Sequence, residues 1–320
     1  MSASLSFDLP AWSFDPPIRS TPRPSTPGSV PPRRTPERPL FGLRQVDVEW
    51  DEKGRTLWTH LRYNGRPCYN PELLLDVRAC YDGVEQMFQG REDDLRYFVL
   101  GSRFPGVYSL GGDLHRFAGW IRERDRAALV HYGRSCVHIL HRNLMGINLP
   151  LVTIALVEGD ALGGGFEAVL SFNLVVAEKG ARFGFPENLF GLFPGMGAHS
   201  LLSRRLGAAR AEAMILSGTT YTAEEMHELG LVQILAEPGQ GRAAVRQYIE
   251  RNGRRHGGQQ AVYRAAREVN PVSIEELERI VEIWADAALH LRDKDLRIME
   301  RLVAAQDRLL GIPAAVAAAE

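Results

Sequence analysis

From residue 41 onward the hydrophobic positions fall into short runs whose period changes along the chain. Gln45–Trp50 and Thr56–Leu61 alternate apolar and polar residues around Asp51-Glu-Lys-Gly54, the pattern of a β-hairpin. Pro71–Gln89 predicts a helix, and Tyr97–Gly101 is an apolar run that reads as a buried strand. Leu114–Leu149 predicts one long helix or two consecutive ones. Further strands are expected at Val152–Val157, Leu174–Ala177 and Val232–Leu235, with a short helix over 164–171. Met196–Leu206, Ala208–Leu216 and Ala223–Leu229 read as helices, the last capped by Thr222 and stopped by Gly230. The rest is helical. Ser273-Ile-Glu-Glu276 has the spacing of a capping box. It opens a helix with Ile280, Trp284, Ala288 and Leu291 on one face, and Leu296, Met299 and Val303 repeat the spacing in a second. Two such amphipathic helices at a chain end pack on the body or on a neighbouring subunit. Short strands alternating with helices imply an α/β architecture.

The first 40 residues break this pattern. Ten of the 19 prolines fall between Pro10 and Pro39, among Ser, Thr and Arg. Such a segment cannot bury a core and is expected to be a disordered tail. Its Pro24-Ser-Thr-Pro27 has the PxxP spacing of a polyproline-groove ligand, although a solvated tail is the simpler reading. The N-terminus lacks the basic start and apolar stretch of a secretory signal, and no apolar run approaches a membrane span. The net charge of −1 gives no reason to expect nucleic acid binding. Cys68, Cys80 and Cys136 are widely spaced and form no CxxC, so neither a disulfide framework nor a zinc site is indicated. A cytoplasmic location fits best.

The chemistry concentrates in two stretches. Glu158-Gly-Asp-Ala-Leu-Gly-Gly-Gly-Phe-Glu167 follows an apolar strand and opens a helix with three glycines. Residues without side chains let a ligand approach the backbone, and the N–H groups at a helix start have no partner within the helix. That arrangement suits an oxygen that becomes negative during a reaction. Glu187 comes twenty residues after Glu167, in a second loop bounded by Gly184 and Pro186. Tyr108-Ser-Leu-Gly-Gly-Asp-Leu114 repeats the glycine-after-strand pattern, so Gly112 and Gly164 could each supply one N–H to a thioester oxygen. By analogy, one such donor is worth roughly 3 kcal/mol in the transition state. An anion site beside two carboxylates suggests acyl chemistry with proton transfer.

Taken singly, these residues have plain structural readings. Glu167 could serve only to complement the helix dipole, Glu187 could cap the turn after Pro186, and Asp113 reads better as a helix cap than as a catalyst. His138 and His141 share a helix face near His131 and Cys136, but a metal would need a further ligand from elsewhere, so the helix reads as partly exposed surface. The glycine run lacks the G-x-G-x-x-G order of a dinucleotide site, and neither a Walker A nor a G-x-S-x-G motif is present.

In combination, Ser109-Leu-Gly-Gly-Asp113, Gly159-Asp-Ala-Leu-Gly-Gly-Gly-Phe-Glu167, Gly184-Phe-Pro-Glu187 and Gly191-Leu-Phe-Pro-Gly-Met-Gly197 resemble the crotonase (enoyl-CoA hydratase/isomerase) superfamily in order and spacing. The resemblance covers about residues 41–240. It implies an α/β fold with a crotonase-type ββα spiral core over 41–258 and a C-terminal α-helical region over 259–320 for trimerisation and active-site cover. It makes Glu167 and Glu187 the acid–base pair and Gly112 and Gly164 the oxyanion hole, with Leu110, Gly111, Leu162, Gly163 and Trp284 as substrate-binding positions. No cofactor is implied beyond the phosphopantetheine of acyl carrier protein, or CoA, as substrate carrier. A homotrimer or hexamer is expected.

Within the superfamily the chain looks most like bacterial diffusible signal factor synthases, which make cis-2-unsaturated fatty acid quorum-sensing signals. Ile121-Arg-Glu-Arg-Asp-Arg126, Leu192-Phe-Pro-Gly-Met-Gly-Ala198, Glu282-Ile-Trp284 and Leu296-Arg-Ile-Met-Glu-Arg-Leu-Val303 carry that likeness. The Pro-rich start is longer than in that group, and Ser109-Leu-Gly-Gly-Asp departs from the Ala-Gly-Ala-Asp form common in degradative hydratases. The resemblance implies dehydration of a 3-hydroxyacyl thioester followed by thioester cleavage. It also implies docking of a sensor kinase's receiver domain. An ordinary enoyl-CoA hydratase would use the same four residues, and a non-catalytic signalling protein would be expected to show a broken site. For a carrier protein's acidic surface, Arg204-Arg205 and Arg254-Arg255-His256 are candidate basic patches.

Overall fold

A computed structural model describes residues 42–312; the Pro-rich segment and its PxxP spacing lie outside them. The described strands are β1 (Val46–Asp51), β2 (Thr56–Leu61), β3 (Tyr97–Ser102), β4 (Val107–Ser109), β5 (Val152–Val157), β6 (Asp160–Leu162), β7 (Leu174–Glu178), β8 (Arg182–Gly184), β9 (Thr220–Thr222) and β10 (Ile234–Ala236). They form a six-stranded sheet in the order β1-β2-β3-β5-β7-β10 and a four-stranded sheet in the order β4-β6-β8-β9. The hairpin β1–β2 is antiparallel, and from β2 onward the large sheet is parallel.

The chain climbs this structure in repeating turns. Each turn places a long strand in the large sheet, then a three-residue strand in the small one, then a helix: β3, β4 and Leu114–Arg122; β5, β6 and Gly164–Leu170; β7, β8 and a 3₁₀ turn at Pro186–Phe190. The short strands stack in parallel register, Ser109 beside Ala161 and Leu162 beside Gly184. The loops that leave them are therefore neighbours in space although they lie tens of residues apart in sequence. This is the ββα spiral.

The parallel strands β3, β5 and β7 are legible as continuous apolar runs because they are buried on both faces. Leu57, Leu61, Phe98, Leu100, Ala155 and Val175 belong to the main core, while Trp58, Tyr97, Val99, Ile154 and Val176 pack under Val245 and Ile249 of helix Gly241–Asn252. The alternation in Thr56–Leu61 does not mark a solvent face: all six residues are buried, with Thr59 donating to the Val99 carbonyl at 2.6 Å and Arg242 lying 4.7 Å from the Trp58 ring centroid. The strands β4, β6, β8 and β9 escape sequence reading because three residues are too few to show a period, and the equally short β10 overlaps only the end of the expected Val232–Leu235.

Leu114–Leu149 resolves into two helices, Leu114–Arg122 and Arg126–Leu144. Arg124 takes a left-handed conformation between them (φ 53°), and Asp125 caps the second by accepting from the Ala128 N–H at 2.9 Å. The capping box expected at Ser273 is only half formed. Ser273 accepts from the Glu276 N–H at 3.1 Å, but the Glu276 carboxylate is held instead by Arg204 at 2.7 and 2.9 Å. Helix Ile274–Ala288 buries Leu277, Val281, Trp284, Ala285 and Ala288, and Asp293–Leu310 buries Leu296, Met299 and Val303. Among the described residues, no helix is long and apolar enough to cross a membrane.

Candidate active site

Three consecutive turns of the spiral bring the glycine loops and both glutamates to one cavity of about 70 Å³. Gly112, Gly164, Glu167 and Glu187 all line it, with an otherwise largely apolar wall that includes Leu110, Leu140, Met196 and Trp284.

The backbone packing explains the glycines. A Cβ on Gly111, where φ is +94°, would lie 2.7 Å from the Gly164 nitrogen and 2.9 Å from the Leu162 carbonyl. Without it the two loops touch, and a Cβ on Gly164 would stand 3.4 Å from the Gly112 nitrogen. The two amides are thus close neighbours. Gly164 opens its helix, so its N–H has no partner within that helix. Gly163 has φ +52°, and a Cβ there would be 2.4 Å from Glu187 Oε1, so the bare backbone gives the carboxylate its place. Gly111, Leu162 and Gly163 do not line the cavity. At Gly111 the Gly164 nitrogen and the Leu162 carbonyl, and at Gly163 the Glu187 carboxylate, leave no room for a Cβ.

Glu167 is 1% exposed. Its Oε1 accepts from the N–H groups of Met196 and Ala198 at 2.8 and 2.9 Å, while Oε2 is enclosed with no hydrogen-bond partner. The helix expected from Met196 therefore begins only at Ala198, because the Gly195-Met-Gly197 stretch turns its amides to the carboxylate. Burial pushes the Glu167 carboxyl up to about 7, against the pull of those two N–H groups. Glu187 is half-buried overall, but its Oε2 is enclosed and unpartnered. Burial first, and then the nearby Glu167 charge, push it up to about 8. Two carboxyls with unused oxygens face one apolar space, and near neutrality the pair holds about one proton.

Trp284 closes one side. It packs edge-on to Phe117 at 5.2 Å between centroids, and a Cβ on Gly195 would strike it at 2.4 Å. Phe117 also packs on Tyr132, whose hydroxyl donates to the Tyr69 carbonyl at 2.5 Å; Tyr69 in turn donates its N–H to the Gly111 carbonyl at 2.8 Å. Sequence reading named Trp284 but missed Phe117, Tyr132 and Tyr69 and the Met196 and Ala198 amides. Gly195 and Gly197 around Met196 were the available signal.

The remaining candidates lie elsewhere. Asp113 caps its helix by accepting from the Arg116 N–H at 3.1 Å. His138 pairs with Glu278 at 2.8 Å. No group of three metal-ligating side chains occurs among the described residues. Arg204-Arg205 is not an open basic patch: Arg204 holds Glu276 and the Pro271 carbonyl, and Arg205 donates to the Leu170 carbonyl at 2.6 Å. His256 of the other basic run contacts the Arg96 carbonyl at 2.8 Å.

Comparison with known proteins bears on the family and the fold. The enoyl-CoA hydratase/isomerase family model matches residues 77–267. The chain is 30% identical over 211 residues to human methylglutaconyl-CoA hydratase, covering 65% of this chain and 58% of that protein. It is 40% identical over 125 residues to 2,3-dehydroadipyl-CoA hydratase of Escherichia coli, covering 39% and 46%. The chain spans between about half and two thirds of the length of most curated relatives it matches. DspI of Pseudomonas aeruginosa superposes with a TM-score of 0.61 at 24% identity over 70% of this chain and 81% of that one. Enoyl-CoA hydratase of Bacillus halodurans superposes with a TM-score of 0.67 at 22% identity over 81% and 100%. These two likenesses speak to the fold. With the family model covering more than half of the chain and the spiral present, the chain belongs to the enoyl-CoA hydratase/isomerase family and has the crotonase fold.

Proposed function

We propose that this chain dehydrates a 3-hydroxyacyl thioester and then hydrolyses the thioester, releasing a cis-2-unsaturated fatty acid of the quorum-sensing signal type. The observation that carries the dehydration is the pairing of two buried carboxyls, each with an unpartnered oxygen, beside the adjacent Gly112 and Gly164 amides. One carboxylate takes the C2 proton. The electron pair moves onto the thioester oxygen, which the Gly112 and Gly164 N–H groups stabilise. The enolate collapses to the C2–C3 double bond as the C3–O bond breaks, and the other carboxyl supplies the proton with which the hydroxyl leaves as water. The raised pKa values serve this exchange, because the pair then holds one proton to give and one site to receive. For hydrolysis the pair activates a water against the thioester carbonyl; the C–S bond breaks and the carrier thiol leaves with a proton.

The hydrolytic step, a carrier-protein substrate and a receiver-domain partner rest on the sequence likeness to the signal synthases, and a trimer or hexamer on the likeness to the crotonase superfamily. A second reading, reversible hydration of a CoA thioester without hydrolysis, is favoured by the hydratase names of the curated relatives. Mass spectrometry of products from a medium-chain 3-hydroxyacyl-carrier protein separates the two. Free cis-2-enoic acid that disappears with Glu167→Gln is the expected result. Interconversion of hydroxyacyl and enoyl thioesters with no free acid would leave only the hydratase.

A further inference from the structure

The cavity wall holds a polar pair, Asn143 and Ser171, that proton transfer does not use. Asn143, near the end of helix Arg126–Leu144, is 1% exposed and lines the cavity together with Ser171. Ser171 follows Glu167 by four residues and sits at the C-terminal end of the same short helix, one turn further along. Its hydroxyl donates to the Ala168 carbonyl at 2.6 Å, leaving Oγ as acceptor for Asn143 Nδ2 at 2.8 Å. This relay fixes the amide. With the Ser171 proton committed to Ala168, a flipped amide would set Oδ1 against an oxygen with no proton to offer. Asn143 Oδ1 is thereby held away from Ser171, and it has no hydrogen-bond partner. The neighbouring wall is apolar, with Leu140, Phe172 and Ala168 beside it.

A buried acceptor without a donor is costly, and an acyl chain of plain methylene groups would leave it so. We propose that Asn143 is a specificity-determining residue that accepts a hydrogen bond from a hydroxyl carried by the acyl chain beyond C3, so that the preferred substrate is a hydroxylated rather than a plain acyl thioester. This inference rests on the acyl-thioester reading of the cavity and adds the class of chain it takes. A pocket built to pair a polar group discriminates more sharply than an apolar one, because the wrong ligand leaves the protein's own group unpaired.

The test is calorimetric binding of the full chain to S-octyl thioethers of CoA and of acyl carrier protein, which cannot be cleaved, and to their positional isomers bearing one hydroxyl beyond C3. In the wild type at least one isomer is expected to bind roughly tenfold or more tighter than the plain chain. Asn143→Leu should abolish that preference while retaining the plain thioether. Ser171→Ala leaves Asn143 in place but frees its amide to turn, and should reduce the preference without removing it. Isomers that all bind no better than the plain chain, or a preference that survives in N143L, would overturn the role of Asn143. Failure of plain and hydroxylated thioethers alike to bind on either carrier would overturn the acyl-thioester reading and this inference with it.

Discussion

The glycine loops and the C-terminal helices enclose the same cavity by opposite means. The loops are built from backbone: Gly111 touches the Gly164 amide, Gly163 makes room for Glu187, and Glu167 is held by two main-chain N–H groups. The helical cover is held by side chains. Arg66 clamps Asp307 through two hydrogen bonds at 3.0 and 2.5 Å, Arg134 reaches Glu282, His138 meets Glu278, and Arg204 grips Glu276. A backbone-built site tolerates almost no added atom. A side-chain-built cover can lose single contacts, except where a charge would be left buried. Changes in the first region should therefore act on catalysis and changes in the second on stability.

The largest effect expected is from Glu167→Gln, which should lower kcat for dehydration about 10³-fold while leaving the fold at least as stable as the wild type near neutrality, because it removes a carboxyl whose burial disfavours its charge. Steady-state kinetics beside chemical denaturation checks both. Gly163→Ala adds one methyl group against the acid and strains a left-handed residue; it should lower kcat about 100-fold by displacing Glu187, with KM changed less. In the cover, Arg66→Leu strands a buried Asp307 carboxylate and should cost about 3 kcal/mol of unfolding free energy, part of which the double variant with Asp307→Leu recovers. Glu276→Gln breaks a half-exposed pair and should cost only about 0.5 kcal/mol.

The glutamate pair also links the site to stability through pH. Both carboxyls are raised above their ordinary 4.5, to about 7 and about 8, so the folded chain keeps protons that the unfolded chain releases. Their stabilising contribution is full below about pH 4.5 and is lost as pH rises through those two values. Glu187→Gln removes its share of that loss, so its Tm relative to wild type should rise between pH 5 and pH 8. Activity should be bell-shaped, falling below about 7 and above about 8 as the pair gains or loses its mixed protonation state.

The two regions were unequally legible in the sequence. The glycine spacings, the two glutamates and the long strands could be read directly, because each depends on local backbone demands or on burial that leaves an apolar run. The alignment of β4, β6 and β8 that stacks the loops could not, since three residues show no period and the register is set by distant turns. The cover was legible as amphipathic helices, but its anchors were not. Arg66 and Asp307 are 241 positions apart, and Glu276, which looked like half of a capping box, is drawn to Arg204. Gly111, Leu162 and Gly163 were expected to bind substrate, but they are not among the residues that line the cavity.

The central claim is that one carboxylate of the pair removes a C2 proton while the Gly112 and Gly164 amides hold the enolate. Deuterium uptake at C2 of a saturated acyl-CoA in heavy water, followed by mass spectrometry, reads that step without water loss or thioester cleavage. The wild type should exchange C2 hydrogen well above the uncatalysed rate, and the Glu167→Gln/Glu187→Gln double variant should not. Exchange that persists in the double variant, or a wild type that turns over hydroxyacyl thioesters without any C2 exchange, would contradict it.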